Sequence, residues 1–259
     1  MKQIIHLSDL HIGGNTRLLN RKLKNRFDRL VEHLVSKHKP SKNFIIIISG
    51  DLTDNVFKHG YKAAKESIAK LTEANFMVLV IPGNHDYGDG KIDDKKYVEL
   101  FKKAFYNDTS VTYPKKNIID NIAFIGLDSM EEGWNNEDSE GKLGKVQIEE
   151  LIKMINTDID VVSCKYKVVY LHHHPVILPR YKGLQDAKEF QGAVKDKVDA
   201  IFFGHNHIPF LLKKSGLWGV PLWSNPGSST GKEDYLPYIS YFVFNLETGT
   251  DKKFEFVLN

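Results

Sequence analysis

Five short apolar runs in this chain end, each time, in a loop that carries histidine, aspartate or asparagine. The clearest is Met77-Val78-Leu79-Val80-Ile81, followed by one proline and then Gly83-Asn84-His85-Asp86. An apolar run bounded by Pro-Gly reads as a buried strand that ends abruptly in a loop. The arrangement recurs as Gln3 to Leu7 before Asp9-Leu10-His11, Phe44 to Ile48 before Gly50-Asp51, Val168 to Leu171 before His172-His173-His174, and Ala200 to Phe203 before Gly204-His205-Asn206-His207. Function is therefore expected at the C-terminal ends of strands.

Helical patterns separate the first three runs. Leu19, Leu23, Phe27, Leu30, Val31, Leu34 and Val35 recur every three or four residues and predict an amphipathic helix over about 16–38, stopped near Pro40. Its other face carries Arg17, Arg21, Lys24 and Arg29, which reads as a solvated surface. Tyr61, Ala64, Ile68, Leu71 and Ala74 predict a second helix, and Phe44 to Ile48 is apolar on both alternating faces, as in a sheet covered on both sides. Strand, helix, strand, helix, strand over residues 1 to 81 implies right-handed parallel crossovers with ligands at the carboxyl ends of the strands.

Further on, a helix is expected from about Asp93 to Tyr106 and another around Ile148, Leu151, Ile152 and Ile155. Ile118 to Leu127, Leu217 to Trp223, Ile239 to Asn245 and Phe254 to Leu258 have strand character and predict a second, mixed sheet. Ser129 to Gly144 is polar and glycine-containing, a loop expected to overhang the site.

At 259 residues, with no Pro/Ser/Gly-rich linker, one α/β domain over 1–259 is expected. No apolar run approaches a membrane span, and a single cysteine, Cys164, fits a reducing compartment, so a cytoplasmic location is expected. A net charge of +3 from 36 basic and 33 acidic residues gives no argument for a nucleic-acid partner. The oligomeric state is left open.

Carboxylates and imidazoles from separate loops can converge on divalent metals, and asparagine adds a neutral carbonyl oxygen. The available set is Asp9, His11, Asp51, Asn84, one of His172, His173 and His174, His205 and His207, enough for two ions bridged by one carboxylate. Two ions about 3.5–4 Å apart bind both the attacking and the leaving oxygen of an in-line displacement and supply hydroxide at neutral pH, chemistry that serves phosphoester hydrolysis. Of the 11 histidines, His6, His33, His38 and His59 match no motif and are read as structural or surface residues.

Taken together, Asp9-Leu10-His11, Gly50-Asp51-Leu52-Thr53-Asp54, Gly83-Asn84-His85-Asp86, His173-His174-Pro175 and Gly204-His205-Asn206-His207 resemble, in order, the motifs of the calcineurin-like metallophosphoesterases. The resemblance implies a four-layer αββα sandwich with two mixed sheets and a dinuclear centre at the strand C-terminal ends. It implies that Asp9, His11, Asp51 and His207 hold one ion, and Asp51, Asn84, His173 and His205 the other. His173 is chosen because the family's ligand usually stands two residues before the proline; His172 is the fallback. His85 would contact the phosphate and protonate the leaving group, oriented by Asp86.

Thr53 and Asp54 stand where purple acid phosphatases carry a tyrosine ligand, so a tyrosinate-iron site is not expected; manganese, ferrous iron and zinc remain open. Lipid A pathway pyrophosphatases have arginine where His85 stands, and the family's double-strand-break repair nucleases usually add a capping domain for which the stretch after His207 leaves little room. Small bacterial cyclic-nucleotide and glycerophosphodiester phosphodiesterases fit better in size and motifs. The expectation is a metal-dependent phosphodiesterase acting on a small-molecule phosphoester, cyclic AMP being the leading named substrate. The alternatives are a phosphomonoesterase or protein phosphatase, a nuclease, and a non-catalytic scaffold of the same fold such as the retromer subunit, against which the intact ligands argue. Arg180, Tyr181, Lys182 and the Ser129 to Gly144 loop are the candidates for substrate preference.

Overall fold

Ile45, Ile46, Ile47 and Ile48 are all fully buried, which a strand achieves only when both faces of its sheet are covered. Each such side chain contributes about 1.5–3 kcal/mol on leaving water, so this strand anchors the fold. The computed structural model describes residues 1–13, 16–54, 60–88, 95–130, 140–176, 183–213, 216–232 and 238–257.

In chain order the elements are β1 (Gln3–Leu7), α1 (Arg17–Lys37), β2 (Phe44–Ser49), α2 (Gly60–Glu73), β3 (Met77–Ile81) and α3 (Lys95–Phe105). There follow β4 (Lys115–Ile119), β5 (Ile122–Gly126), α4 (Lys145–Thr157), α5 (Ile159–Ser163), β6 (Tyr166–Tyr170) and α6 (Ala187–Val194). The last strands are β7 (Ala200–Phe202), β8 (Phe210–Lys213), β9 (Leu222–Asn225), β10 (Tyr238–Asn245) and β11 (Thr250–Val257). One sheet runs β11-β10-β1-β2-β3 and the other β4-β5-β6-β7-β9-β8. In the first, β1, β2 and β3 are parallel, as the alternation predicts, and β10 and β11 complete it antiparallel. In the second, β5, β6, β7 and β9 are parallel, with β4 and β8 antiparallel at the edges.

Three apolar layers hold the sandwich together, and strand parity assigns each side chain to one of them. Ile46 and Ile48 of β2 pack with Phe27, Leu30 and Leu34 of α1, Ile68 and Leu71 of α2 and Phe101 of α3. Val169 of β6 and Ile201 of β7 pack with Ile148 and Leu151 of α4 and Phe190 of α6. Between the sheets lie Ile4, Ile45, Ile47, Leu79, Ile81, Phe124, Val168, Tyr170 and Phe202. The four layers are thus helix, sheet, sheet, helix.

Several boundaries differ from the sequence expectation. Ile118 to Leu127 is two strands, because Asp120 and Asn121 take φ of 50° and 67° and close a tight hairpin between β4 and β5. Leu217 to Trp223 is a 3-10 turn over Leu217–Gly219 followed by β9, and β11 begins at Thr250 rather than Phe254. The short elements β8 and α6 had no distinct periodic signal. On the basic face of α1, Arg21 and Arg29 are exposed as expected, and cations beside it are engaged within the molecule. Lys24 and Lys70 hold Asp28 at 2.9 and 2.8 Å, and Arg26 donates to the carbonyls of Thr230 and Gly231 at 3.3 and 2.8 Å.

Candidate metal centre

The loops after β1 and β2 continue to pair beyond the strands. Asp9 N donates to Gly50 O, His11 N to Asp51 O, and Ile12 N to Leu52 O, at 3.0–3.1 Å. To turn side chains inward while pairing, Asp9, His11 and Asp51 adopt φ of 54°, 48° and 50°; His205 and His207 do likewise at 75° and 54°. Such conformations cost non-glycine residues on the order of 1–3 kcal/mol each and collect at functional sites. Neighbouring loops approach too closely for side chains. A Cβ on Gly204 would lie 1.9 Å from Ser8 Oγ, and one on Gly83 2.2 Å from Asp51 Oδ1. The glycines of the Gly-His-x-His and Gly-Asn-His-Asp motifs therefore keep the loops in register by having no side chain.

Asp9, His11, Asp51 and His207 bring one ligand atom each to within 4.8 Å of one another. His11 Nε2 lies 2.9 Å from His207 Nε2 and 3.5 Å from Asp51 Oδ2, and His207 Nε2 is 3.3 Å from Asp9 Oδ1. On its other side His11 Nδ1 faces Asp54 Oδ1 at 3.2 Å. That carboxylate fixes the hydrogen on Nδ1 and leaves the Nε2 lone pair aimed at the cluster. Lys232 Nζ donates to Asp54 Oδ1 at 2.5 Å and comes within 3.2 Å of His11 Nδ1.

The other half is built on Asn84, His172 and His205. Asn84 Oδ1 and His205 Nδ1 are 3.2 Å apart, and His205 N donates to both oxygens of Asp9 at 3.1 Å. Of the three consecutive histidines, His172 meets the carboxylate: its Nε2 is 3.3 Å from Asp51 Oδ2, while Nδ1 donates to Ser49 O at 2.8 Å. The buried Nε2 makes no hydrogen bond among the described residues. His173, expected to face the cluster, instead places Nδ1 2.7 Å from Ser129 Oγ, with its ring 4.4 Å from that of His205. His174 Nδ1 accepts from Val176 N at 3.2 Å, and the ring packs on Phe203 at 4.7 Å. Parity explains the difference. Val168 and Tyr170 point between the sheets, so His172 continues toward the inter-sheet side where Ser49 and Asp51 end β2, whereas Val169 and Leu171 point to the helices.

The expected pairing of Asp86 with the His85 imidazole is not what the structure contains. Asp86 accepts from Leu52 N, Thr53 N, Thr53 Oγ1 and Gly83 N at 2.9–3.1 Å, binding the Asp51 loop to the Asn84 loop. The His85 imidazole is held by Asp54 O, 2.9 Å from Nδ1, and the His85 backbone donates to Asp51 Oδ1 at 3.0 Å. A short carboxylate at the start of a 3-10 turn, Asn84–Tyr87, reaches backbone amides more readily than a ring one residue back.

Sequence reasoning also missed what closes over the first half. Ser228 Oγ donates to Asp9 O at 2.9 Å, Thr230 Oγ1 to Leu10 O at 3.0 Å, and Ser229 N to Ser8 O at 2.8 Å. No local pattern marks this strap or Lys232; the second aspartate of Gly-Asp-x-x-Asp was the only available hint for Asp54. His6 is structural, as expected. It is fully buried, with Nδ1 and Nε2 each 2.9 Å from the hydroxyls of Ser224 and Ser49. His38 is buried against Tyr241. His59, Arg180, Tyr181, Lys182 and the part of the Ser129 to Gly144 loop over 131–139 lie outside the described residues.

The donor set fits cations. Burial alone would lower the His172 imidazole, yet Asp51 and Asp9 facing it raise it to about 9. Burial would raise Asp51, but His172, His85 and His11 hold its carboxyl well below the usual range. Positive charge is therefore favoured where the ring nitrogens and carboxylates converge, and a cation there would take the place of the proton on His172 Nε2, which has no hydrogen-bond partner among the described residues while Nδ1 is held by Ser49 O.

Residues 2–209 match a family model described as calcineurin-like phosphoesterase. A probable cyclic nucleotide phosphodiesterase of Coxiella burnetii is 23% identical over 216 residues, 81% of this chain and 77% of the relative. A probable glycerophosphodiester phosphodiesterase of Arcobacter nitrofigilis is 30% identical over 177 residues, 67% of this chain and 57% of the relative, so the match spans little more than half of that protein. Among solved structures, a dimetal phosphatase from Danio rerio superposes with a TM-score of 0.66 at 12% identity, covering 93% of this chain and 91% of that one, a likeness of fold alone.

Proposed function

The chain belongs to the calcineurin-like phosphoesterase family, and on that premise we propose that this phosphoester hydrolase acts on small phosphodiesters and that its strand-end residues would hold two divalent ions, Asp51 contributing to both. The proposal assigns Asp9, His11, Asp51 and His207 to one ion and Asp51, Asn84, His172 and His205 to the other, with His172 taking the place first given to His173. The observation that carries it is the convergence of the Nε2 atoms of His11 and His207, 2.9 Å apart, beside Asp9 and Asp51. Two such ions supply charge for the phosphoryl oxygens and a nucleophile at neutral pH. Manganese, ferrous iron and zinc all suit a donor set of imidazole, carboxylate and amide oxygen.

The chain's own groups divide the remaining work. Asp54 Oδ1 and Ser49 O hold the Nδ1 hydrogens of His11 and His172, so both rings would offer Nε2 to an ion. His85 keeps its Nδ1 hydrogen on Asp54 O, which leaves Nε2 as the atom that carries a proton to the departing alkoxide. Asp86 does not touch that ring; it holds together the two loops that position Asp51 and Asn84.

The relatives' names favour diesters, glycerophosphodiesters and cyclic nucleotides among them, over monoesters. The test is to assay metal-reconstituted protein against a panel of phosphomonoesters, alkyl diesters and cyclic nucleotides. Higher kcat/KM on diesters is expected with at least one of the three metals. A monoester preference with every metal would overturn the diester assignment.

A further inference from the structure

Opposite the metal centre, at the N-terminal ends of β6, β7 and β9, the layer between the sheets opens into a cavity of about 570 Å³. Leu222, Phe244 and Leu246 give it an apolar wall. The Phe244 ring stacks on Phe202 at 5.2 Å, and Phe202 stacks on His6 at 4.7 Å. The cavity and the metal centre therefore lie at opposite ends of one packed layer and share no residue.

Among the described residues, three charged groups line the cavity, Asp199, Lys213 and Asp251. Lys213 is already paired with Asp251, so those two charges cancel. Asp199 Oδ2 accepts from Lys167 N at 2.7 Å, whereas Oδ1 makes no hydrogen bond among the described residues. Burial pushes the Asp199 carboxyl above its usual range, against the smaller lowering influence of the Lys167 amide and of the Lys167 charge. A cavity of this size, mainly apolar with a few polar groups, is built like a small-molecule site.

We propose that this cavity is a second ligand site, one that takes a small organic monocation such as an aryl or alkyl amine. Its ammonium would sit on Asp199 Oδ1 and its apolar body against Phe244 and Leu222. Among the described lining residues two carboxylates face one ammonium, which Asp251 already engages, so an anion would meet net negative charge there. A neutral apolar molecule would cover the half-buried carboxylate without giving it a partner, which is unfavourable.

The test uses the full chain and 2-phenylethylamine as the probe, followed by titration calorimetry and by amide chemical shifts of the labelled protein. Saturable binding is expected, with shifts centred on Leu222, Phe244 and Gly249. Asp199→Asn should weaken it at least about tenfold, as befits the loss of a hydrogen bond to a charged group. Leu246→Trp should fill the cavity and remove binding, with its fold checked by circular dichroism. Neutral 2-phenylethanol and anionic phenylacetate should bind far more weakly than the amine. Absence of saturable binding, shifts confined to the loops around Asp9 and Asp51, equal binding of the alcohol, or an Asp199→Asn variant within twofold of wild type would each overturn the proposal.

Discussion

The two halves of the candidate metal centre are braced in different ways. Around Asp9, His11 and His207 the bracing is ionic and comes from far along the chain. Asp54 holds His11, Lys232 holds Asp54, and Arg26 of α1 holds the carbonyls of Thr230 and Gly231 in the strap that carries Lys232. Around Asn84, His172 and His205 the bracing behind the side chains is neutral and close to the sheets: Ser49 O at the end of β2 holds His172 Nδ1, and Asn84 and His205 contact each other, with only the His205 backbone held by a carboxylate, that of Asp9. The first half depends on charge complementarity and on the C-terminal part of the chain closing over it. The second depends on strand parity and on how closely two glycine loops approach. Asp51 belongs to both.

The largest effect is therefore expected at Asp51. Asp51→Asn should abolish activity and lower the content of both ions together; two full equivalents of metal by elemental analysis, with near-wild-type turnover, would break the shared-carboxylate model. Next comes the neutral half. His172→Ala should lose the second ion and most activity, while His173→Ala should keep both ions because it is His172, on the inter-sheet side, whose Nε2 faces Asp51. If His173→Ala proves the more damaging, the parity argument fails and the original assignment stands.

His85 sharpens the comparison because it is hydrogen-bonded to Asp51 and Asp54 without being assigned to either ion. His85→Ala should keep both ions yet lose about 10²–10⁴-fold in kcat/KM on an alkyl diester, and far less on a nitrophenyl ester whose leaving group needs no proton. Equal losses on the two esters, with metal depleted, would make His85 a structural brace. Asp54→Asn tests the ionic bracing. It should weaken one ion by about 10–100-fold, the usual cost of removing a partner behind a metal-ligating histidine, and leave the other unchanged. Loss of both ions in parallel titrations would mean the halves are not separable.

The smallest effect concerns the layer that both halves rest on. Burial lowers the His6 imidazole to about 3, against the raising influence of Asp9, so its ring is neutral in the fold but protonates below about 6.5 when the chain unfolds. The stability it contributes is complete above pH 6.5 and is lost as pH falls from there toward 3, by up to about 1.4 kcal/mol per pH unit. Between pH 7 and 5, denaturant unfolding of wild type should therefore lose about 2 kcal/mol more than that of His6→Asn. Equal losses would remove His6 as a source of acid sensitivity.

The strands, the helix over Arg17–Lys37 and the loops carrying the ligands were legible in the sequence because their signals are local. Apolar runs, helical periodicity and Pro-Gly stops act within a few residues, and residue types alone suggested Asp9, His11, Asp51, Asn84, His205 and His207. Which of His172, His173 and His174 turns to Asp51 was decided by the tertiary structure, since parity has meaning only once it is known which face of β6 meets the other sheet. The same holds for the carbonyl of Asp54 displacing Asp86 as the partner of His85, and for Lys232, which lies 178 positions from Asp54 in the chain. Five site residues with positive φ make the point physically. No local preference favours those conformations in aspartate or histidine strongly enough to predict them, and they persist because two packed sheets and the strap over them hold each loop where its own backbone would not settle.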